Sequence, residues 1–209
     1  MKHRVLTVAR EFGSGGAEIA RQLAARLGWR LLDNALVVQI AQAARVEPEL
    51  ARRFDERVDS WLHRVARRGI STGAFEAVAE PAGTSGFDAE TMASIGSSLI
   101  REAHRQGNCV IVGRGAQCAL HGQDDVFHLF VYAKLAARIE RVRRRQDAPA
   151  DLEKWIGDMD LTRSHYVRHN FGCNWANPHL YHLMIDSTLG EAAVVSAVTA
   201  AMGVTGEEG

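Results

Sequence analysis

The spacing of apolar positions changes several times along the chain, and each change marks an element. A short β-branched run over residues 4–8 leads to the glycine turn Gly13-Ser14-Gly15-Gly16, after which Ile19, Leu23 and Leu27 recur at i, i+4 and i+8. That order predicts strand, loop and amphipathic helix over 16–27. Gly28 stands where a helix C-cap glycine belongs, and residues 29–32 read as a second short strand. Asp33 is placed to cap a helix carrying Leu36, Val37, Ile40 and Ala44. From Glu47 to Phe87 the pattern loosens, with charges at Arg52, Arg53, Asp55, Glu56 and Arg57 and then Gly69, Gly73, Pro81, Gly83 and Gly86. An inserted helical subdomain and a loop are expected there, within residues 45–90.

Regular spacing returns at Asp88, an N-cap candidate before Met92, Ile95, Leu99 and Ala103, and this helix stops at Gly107. Residues 109–112 and 126–132 are nearly continuous apolar runs, as expected of strands covered on both faces by helices. A basic helix comes next, with Arg138, Arg141, Arg143, Arg144 and Arg145 inside eight residues. Residues 151–169 then read as a helix through Leu152, Trp155, Ile156, Met159 and Tyr166. Residues 183–185 supply the last strand. Thr188 and Glu191 have the spacing of a capping box opening a final helix with Ala193, Val194, Ala197 and Val198 on its apolar side. Strands alternating with helices predict an α/β fold with a parallel sheet.

Composition narrows the function classes. The 209 residues carry 46% hydrophobic and 24% charged side chains, enough for one globular domain with a real core. A formal net charge of zero argues against general attraction to a nucleic-acid polymer or an anionic membrane, so any anion site must be local. Cys109, Cys118 and Cys173 lack paired zinc or redox spacing, which fits reduced thiols in a cytoplasmic protein, with Cys109 a small core residue. No apolar run reaches the length of a membrane span, and the opening residues lack the pattern of a signal peptide.

The glycine turn is the strongest candidate for chemistry. Between a strand and a helix, such a turn gathers backbone N–H groups at the positive end of the helix dipole, where phosphate is the natural guest. Gly13, Ser14, Gly15, Gly16 and Ala17 make up this cradle, although GSGG alone could also be a plain flexible turn. The Walker pattern ends in Gly-Lys-Ser/Thr, whereas Gly15 is followed here by Gly16 and Ala17. The lysine is missing, and Arg10, just before the loop, is the nearest replacement; a solvated strand-end arginine is the competing reading.

The segment AREFGSGGAEIARQLAARLGWRLLDNALV resembles the opening of the cytidylate kinase-like family, where a SREYGSGG-type segment leads into the first helix. NCVIVGRGAQ looks like that family's third-strand motif, and DMDLTRSHYVRHNFGCNWANPHLYHLMIDSTLG looks like its D-x-x-R-x-x-Y, Trp, Pro and final-strand segment. The resemblance implies a three-layer P-loop NTPase fold of the nucleoside monophosphate kinase type. Its sheet would have about five parallel strands flanked by helices, with an acceptor-binding helical insertion and loop over 45–90 and a lid-like helical region over 141–170. It implies ATP and Mg2+ as cofactors and ATP-dependent phosphoryl transfer to a small-molecule nucleotide, CMP or dCMP first. By motif, Asp33 matches the acid that begins the monophosphate-binding region and Arg114 matches the arginine of DGRD. Asp160 and Arg163 match the Asp-x-x-Arg pair near the cytidine pocket, and 185–188 match the VIDST strand end. Departures are also plain: Gly16 replaces the lysine, Gly115 stands for the second aspartate of DGRD, and Ile156 replaces an additional phosphate-binding arginine. A catalytically weak or inactive nucleotide-binding regulatory module, or a kinase for another small acceptor, are the alternatives these departures leave open.

Catalytic candidates are therefore Arg10, Arg114, Arg141 and Arg145, the last two sharing a helical face, with Asp33, Arg114, Asp160 and Arg163 on the acceptor side. Asp160 and Arg163, at i and i+3, face one way from a helix and could instead form a plain ion pair. The remaining arginines of the basic helix read as a solvated face. His165 and His169 have no supporting ligand set, so no protein metal site is assigned. Trp175, Pro178 and Tyr181 read as packing residues, with a base-stacking patch as the other reading, and Asp186 as an acid on the ligand-binding strand edge or, in the competing reading, a cap of the next helix. A homodimer is compatible with this reading.

Overall fold

The computed structural model describes residues 2–33, 89–144 and 150–204. The helix expected over 36–44, the stretch 47–87, Asp88, Arg145 and the side chains of Met92 and Ile95 lie outside the described residues.

The elements run β1 (Val5–Arg10), α1 (Gly16–Leu27), β2 (Arg30–Leu32), α2 (Ala89–Gln106), β3 (Cys109–Val112), α3 (Ala116–Ala119), β4 (Val126–Tyr132), α4 (Leu135–Arg143), α5 (Leu152–Phe171), β5 (Leu183–Asp186) and α6 (Glu191–Ala201). Short 3-10 turns over Pro178–Leu180 and Ser187–Leu189 flank β5. All strand pairs are parallel, in the order β2-β3-β1-β4-β5. β1 is central: Val5 lies opposite both Cys109 and Val126, and Val8 opposite both Val112 and Leu129. This register brings the carboxyl ends of the strands, at Arg10, Val112, Tyr132 and Asp186, to one edge. Ligands of open α/β sheets bind along that edge.

The apolar runs are continuous because both faces of the sheet are covered. On one face Ile19, Ala20 and Leu23 of α1 and Val194 and Val198 of α6 pack on Leu6, Val8, Val110 and Leu129. On the other, Leu99, Ile100 and Ala103 of α2 pack on Val5, Ile111 and Val126. Cys109 is buried in that second layer, and its thiol is raised to about 11, chiefly by burial. Trp175 and Tyr181 pack on Phe130 as structural residues. Cys118 and Cys173, distant in sequence, meet in the same cluster; burial first, and a hydrogen bond between the two thiols second, raise Cys118.

Three local expectations change. β1 runs on to Arg10, beyond the apolar run, because Arg10 still pairs with Val131 in the ladder. The capping box does not form: Gly190 is the N-cap of α6, without a side-chain cap, and Thr188 lies in the preceding 3-10 turn. Asp186 wins the competition, its Oδ1 accepting the Thr188 N–H at 2.9 Å. Arg138, grouped by sequence with a solvated face, is only 7% exposed. No helix among the described residues is long and apolar enough to cross a membrane.

Candidate functional site

The turn between β1 and α1 is built around two left-handed glycines, Gly13 at φ 76° and Gly15 at φ 79°. Gly15 is the N-cap of α1 and provides no side-chain cap. Glu11 O takes the Ser14 N–H at 3.3 Å and Gly15 O takes that of Ile19 at 3.1 Å. Among the described residues no backbone carbonyl outside α1 accepts the N–H groups of Gly15, Gly16 or Ala17. A helix N-terminus left in this state collects donors and a partial positive charge, the elements of an anion cradle.

Two arginines lie against this turn. Arg141, from the last turn of α4, donates through Nη1 to Ser14 O at 3.1 Å and to Ser187 Oγ at 3.0 Å, and through Nη2 to Ser187 O at 3.2 Å. A Cβ built on Gly15 would lie 3.8 Å from its guanidinium carbon. Ser187 Oγ donates in turn to Ser14 O at 2.5 Å. Arg10 lies on the other side: a Cβ on Gly16 would stand 2.6 Å from Arg10 Cβ, and one on Gly113 would stand 2.2 Å from Arg10 Nη1. Its side chain thus passes the first residue of α1 and reaches the turn after β3.

A second set of residues fixes the loop from behind. The Phe12 N–H donates to Asp160 Oδ1 at 2.7 Å, and Arg138 Nε donates to Phe12 O at 2.7 Å. Arg138 also bonds Asp160 Oδ2 and lies 3.3 Å from Glu11 Oε2, which accepts the Ala133 N–H at 3.1 Å. Phe12, Val142 and Ile156 form a buried cluster, with Trp155 edge-on to the Phe12 ring. A Cβ on Gly13 would sit 3.0 Å from Val142 Cγ2, so glycine is what lets α4 approach the loop. Arg163 Nη1 donates to Arg10 O at 3.0 Å, and its guanidinium lies 5.3 Å from the Phe12 ring centroid. Asp160 and Arg163 do face the same way, 3.8 Å apart, but the Asp160 carboxylate expected to meet a base amino group already has protein partners on both oxygens.

Arg114 has φ 54° between Gly113 at 73° and Gly115 at 71°, three left-handed residues in succession. A non-glycine residue here costs of order 1–2 kcal/mol. Its guanidinium lies 5.9 Å from the centroid of the Tyr166 ring of α5. Asp33 follows β2 on the same sheet edge. Asp186 is held below the usual carboxylate range by the Thr188 N–H, then the Thr188 hydroxyl, with Lys134 and Arg141 adding attraction. His165 and His169 are exposed on α5, and no group of three potential metal ligands occurs among the described residues.

The departures from the motif each have a neighbour that fills the space. Arg10 abuts Gly16; the Phe171 ring lies 2.2 Å from a Cβ on Gly115, where an aspartate would collide; and Ile156, 1% exposed, is a core residue beneath Phe12. Sequence reading missed Ser187 as the anchor of Arg141, Glu11 and Arg138 as supports of the loop, and Phe171 as the partner of Gly115. Only Ser187 had a signal, its place in the IDST segment.

The model of the cytidylate kinase-like family matches residues 5–189. The chain belongs to this family. It is 28% identical to a cytidylate kinase of Methanosarcina mazei over 129 residues, covering 60% of this chain and 68% of the relative. An uncharacterized protein from Eubacterium ventriosum shares the fold with a TM-score of 0.68 at 17% identity, over 97% of this chain and 100% of that one. A gluconokinase from Sinorhizobium meliloti superposes with a TM-score of 0.54 at 10% identity, over 97% of this chain and 93% of the other. A shikimate kinase from Bacteroides thetaiotaomicron gives 0.51 at 12% identity, over 95% and 98%. These structural likenesses establish a P-loop kinase fold for the cytidylate kinase-like chain.

Proposed function

We propose that this member of the cytidylate kinase-like family transfers the γ-phosphoryl group of ATP to a nucleoside monophosphate, with CMP and dCMP as the leading acceptors. The observation that carries the reading is the turn at Gly13–Ala17. Its first-turn N–H groups have no backbone acceptor outside α1 among the described residues, and it is bracketed by Arg10 and Arg141. The family match and the cytidylate kinase relative support the choice of acceptor.

The residues present fit a triphosphate. Loop N–H groups and the α1 dipole would hold phosphate oxygens, and the two guanidiniums would offset their charge. Magnesium, when bound, would supply further neutralisation of the phosphate charge. Arg114 and Arg163 are assigned to the acceptor side, with Asp33 on the same edge. Asp160 acts through Phe12 and Arg138 as a positioning residue. The acceptor's own phosphate oxygen is the nucleophile, so the chain need only align it and stabilise spreading charge. Exclusion of water from the loop would let the phosphoryl group pass to the acceptor rather than to solvent.

Steady-state ADP formation from ATP and magnesium, measured with CMP, dCMP, UMP, AMP, shikimate and gluconate in turn, tests the acceptor. The highest kcat/KM is expected with CMP or dCMP. A higher value with shikimate or gluconate overturns the nucleotide assignment.

A further inference from the structure

In the P-loop pattern G-x-x-x-x-G-K-[ST] the first glycine precedes the lysine by six positions, and the lysine reaches the β- and γ-phosphates. Counting from Gly15 as the second glycine, the first-glycine position is Arg10 and the lysine position is Gly16. A glycine and a cation have therefore changed places across the loop.

We propose that Arg10 supplies the phosphate-binding cation that such loops take from their lysine, and that Gly16 and Gly113 are glycine to make room for it. The inference rests on the ATP-dependent reading above and adds a residue role to it. Gly16 has no positive φ, so its backbone accepts any L residue and the need there is for space alone. That space is taken by Arg10 Cβ at 2.6 Å and Cγ at 3.0 Å, with Val131 Cβ at 3.3 Å. Farther out, Arg10 Nη1 lies over Gly113 at 2.2 Å from a built Cβ, next to the Arg114 turn. The stem thus passes the amide end of α1 while the guanidinium lies over Gly113, the residue before Arg114. The backbone of Arg10 is held in register with Val131 and through its carbonyl by Arg163, which fixes where the side chain starts. An arginine fork also offers paired donors to two phosphate oxygens, which a lysine cannot.

The two arrangements, arginine at 10 with glycine at 16 or glycine at 10 with lysine at 16, exclude each other sterically and are equivalent in charge. A mutant cycle reads this directly. Titrate ATP, inorganic tripolyphosphate and adenosine against native protein, Arg10→Ala, Gly16→Lys and the double variant Arg10→Gly/Gly16→Lys, and record the Tm of each. Arg10→Ala is expected to weaken ATP and tripolyphosphate about 10- to 100-fold and leave adenosine unchanged, the loss of one charged hydrogen bond. Gly16→Lys alone weakens both despite its added charge, and the double variant recovers to within about fivefold of native. Native ATP affinity in folded Arg10→Ala overturns the proposal, as does a gain from Gly16→Lys alone or a double variant no better than the poorer single one. If lysine at 16 prevents folding, Gly16→Ala decides the steric half: its loss of Tm in the native background should shrink in Arg10→Gly, where only Val131 Cβ at 3.3 Å still crowds it, and an equal loss in both contradicts the proposal. ATP binding with this cycle intact but no turnover would sink the kinase reading alone, whereas turnover unaffected by Arg10→Ala would sink the Arg10 role alone.

Discussion

Asp160 accepts the backbone N–H of Phe12 at 2.7 Å, although the two residues lie 148 positions apart. The same carboxylate pairs with the buried Arg138, whose Nε holds Phe12 O, so the N–H and the carbonyl of one loop residue are held by α5 and α4 respectively. The glycine turn is thereby tied to the two helices packed behind it.

Removing Asp160 should reveal that role. Asp160→Ala leaves Arg138 buried with a lost partner and the Phe12 N–H unsatisfied, for a loss of about 3–5 kcal/mol of stability. Urea unfolding checks it. An unchanged midpoint with a raised KM for the acceptor alone would instead give Asp160 the direct contact that its motif implies.

Gly115 carries a second prediction. Its φ of 71° and the Phe171 ring both oppose a side chain. Gly115→Ala should cost about 1–3 kcal/mol through overpacking and left-handed strain. In a Phe171→Ala background the same substitution should cost measurably less, because only the strain remains. Equal costs in both backgrounds, read as Tm differences, would separate Gly115 from Phe171.

Arg141 bonds two carbonyls and one hydroxyl beside the loop, so its truncation should affect both the loop and the phosphates. Arg141→Ala is expected to lower kcat by about 100-fold, in the range of losing one charge-stabilising donor. Arg141→Lys should recover little, since a single ammonium cannot serve Ser14 O, Ser187 and phosphate together. A kcat within twofold of native for Arg141→Ala excludes it from the charge-stabilising set.

Acid sensitivity should come in part from His128, which lies far from the loop. It is 3% exposed, its Nδ1 is 2.7 Å from Thr7 Oγ1, and burial, then nearby His182, lower it from 6.5 to about 4. The unfolded chain therefore binds a proton before the folded one does. Above pH 6.5 His128 is neutral in both states and has no effect on the pH dependence. As pH falls from 6.5 toward 4, its contribution to stability declines by roughly 3 kcal/mol in all. His128→Asn should flatten the fall of Tm across that window relative to native. An equally steep fall in the variant would assign acid sensitivity to other groups.

The sheet was legible because both of its faces are covered. Residues 109–112 and 126–132 are almost wholly apolar, and the glycine turn stands between a strand and an amphipathic helix. What eluded the sequence were choices between polar partners. Thr188 and Glu191 have capping-box spacing, but Asp186, closer along the chain, takes the Thr188 N–H first. Arg138 looks like one more arginine of a basic helix, and its burial depends on Glu11, Phe12 and Asp160 arriving from elsewhere. Gly16, Gly115 and Ile156 were visible as departures from a motif. Arg10 could be paired with Gly16 by position along the loop, but Phe171 against Gly115 and the Phe12 cluster around Ile156 are tertiary contacts that no spacing encodes.

The most direct test is a 31P NMR time course of native protein with ATP, magnesium and CMP. Phosphoryl transfer predicts CDP and ADP growing together, one for one, while ATP and CMP decline. ATP left intact at high protein concentration, or ADP with inorganic phosphate and no CDP, would contradict transfer to this acceptor.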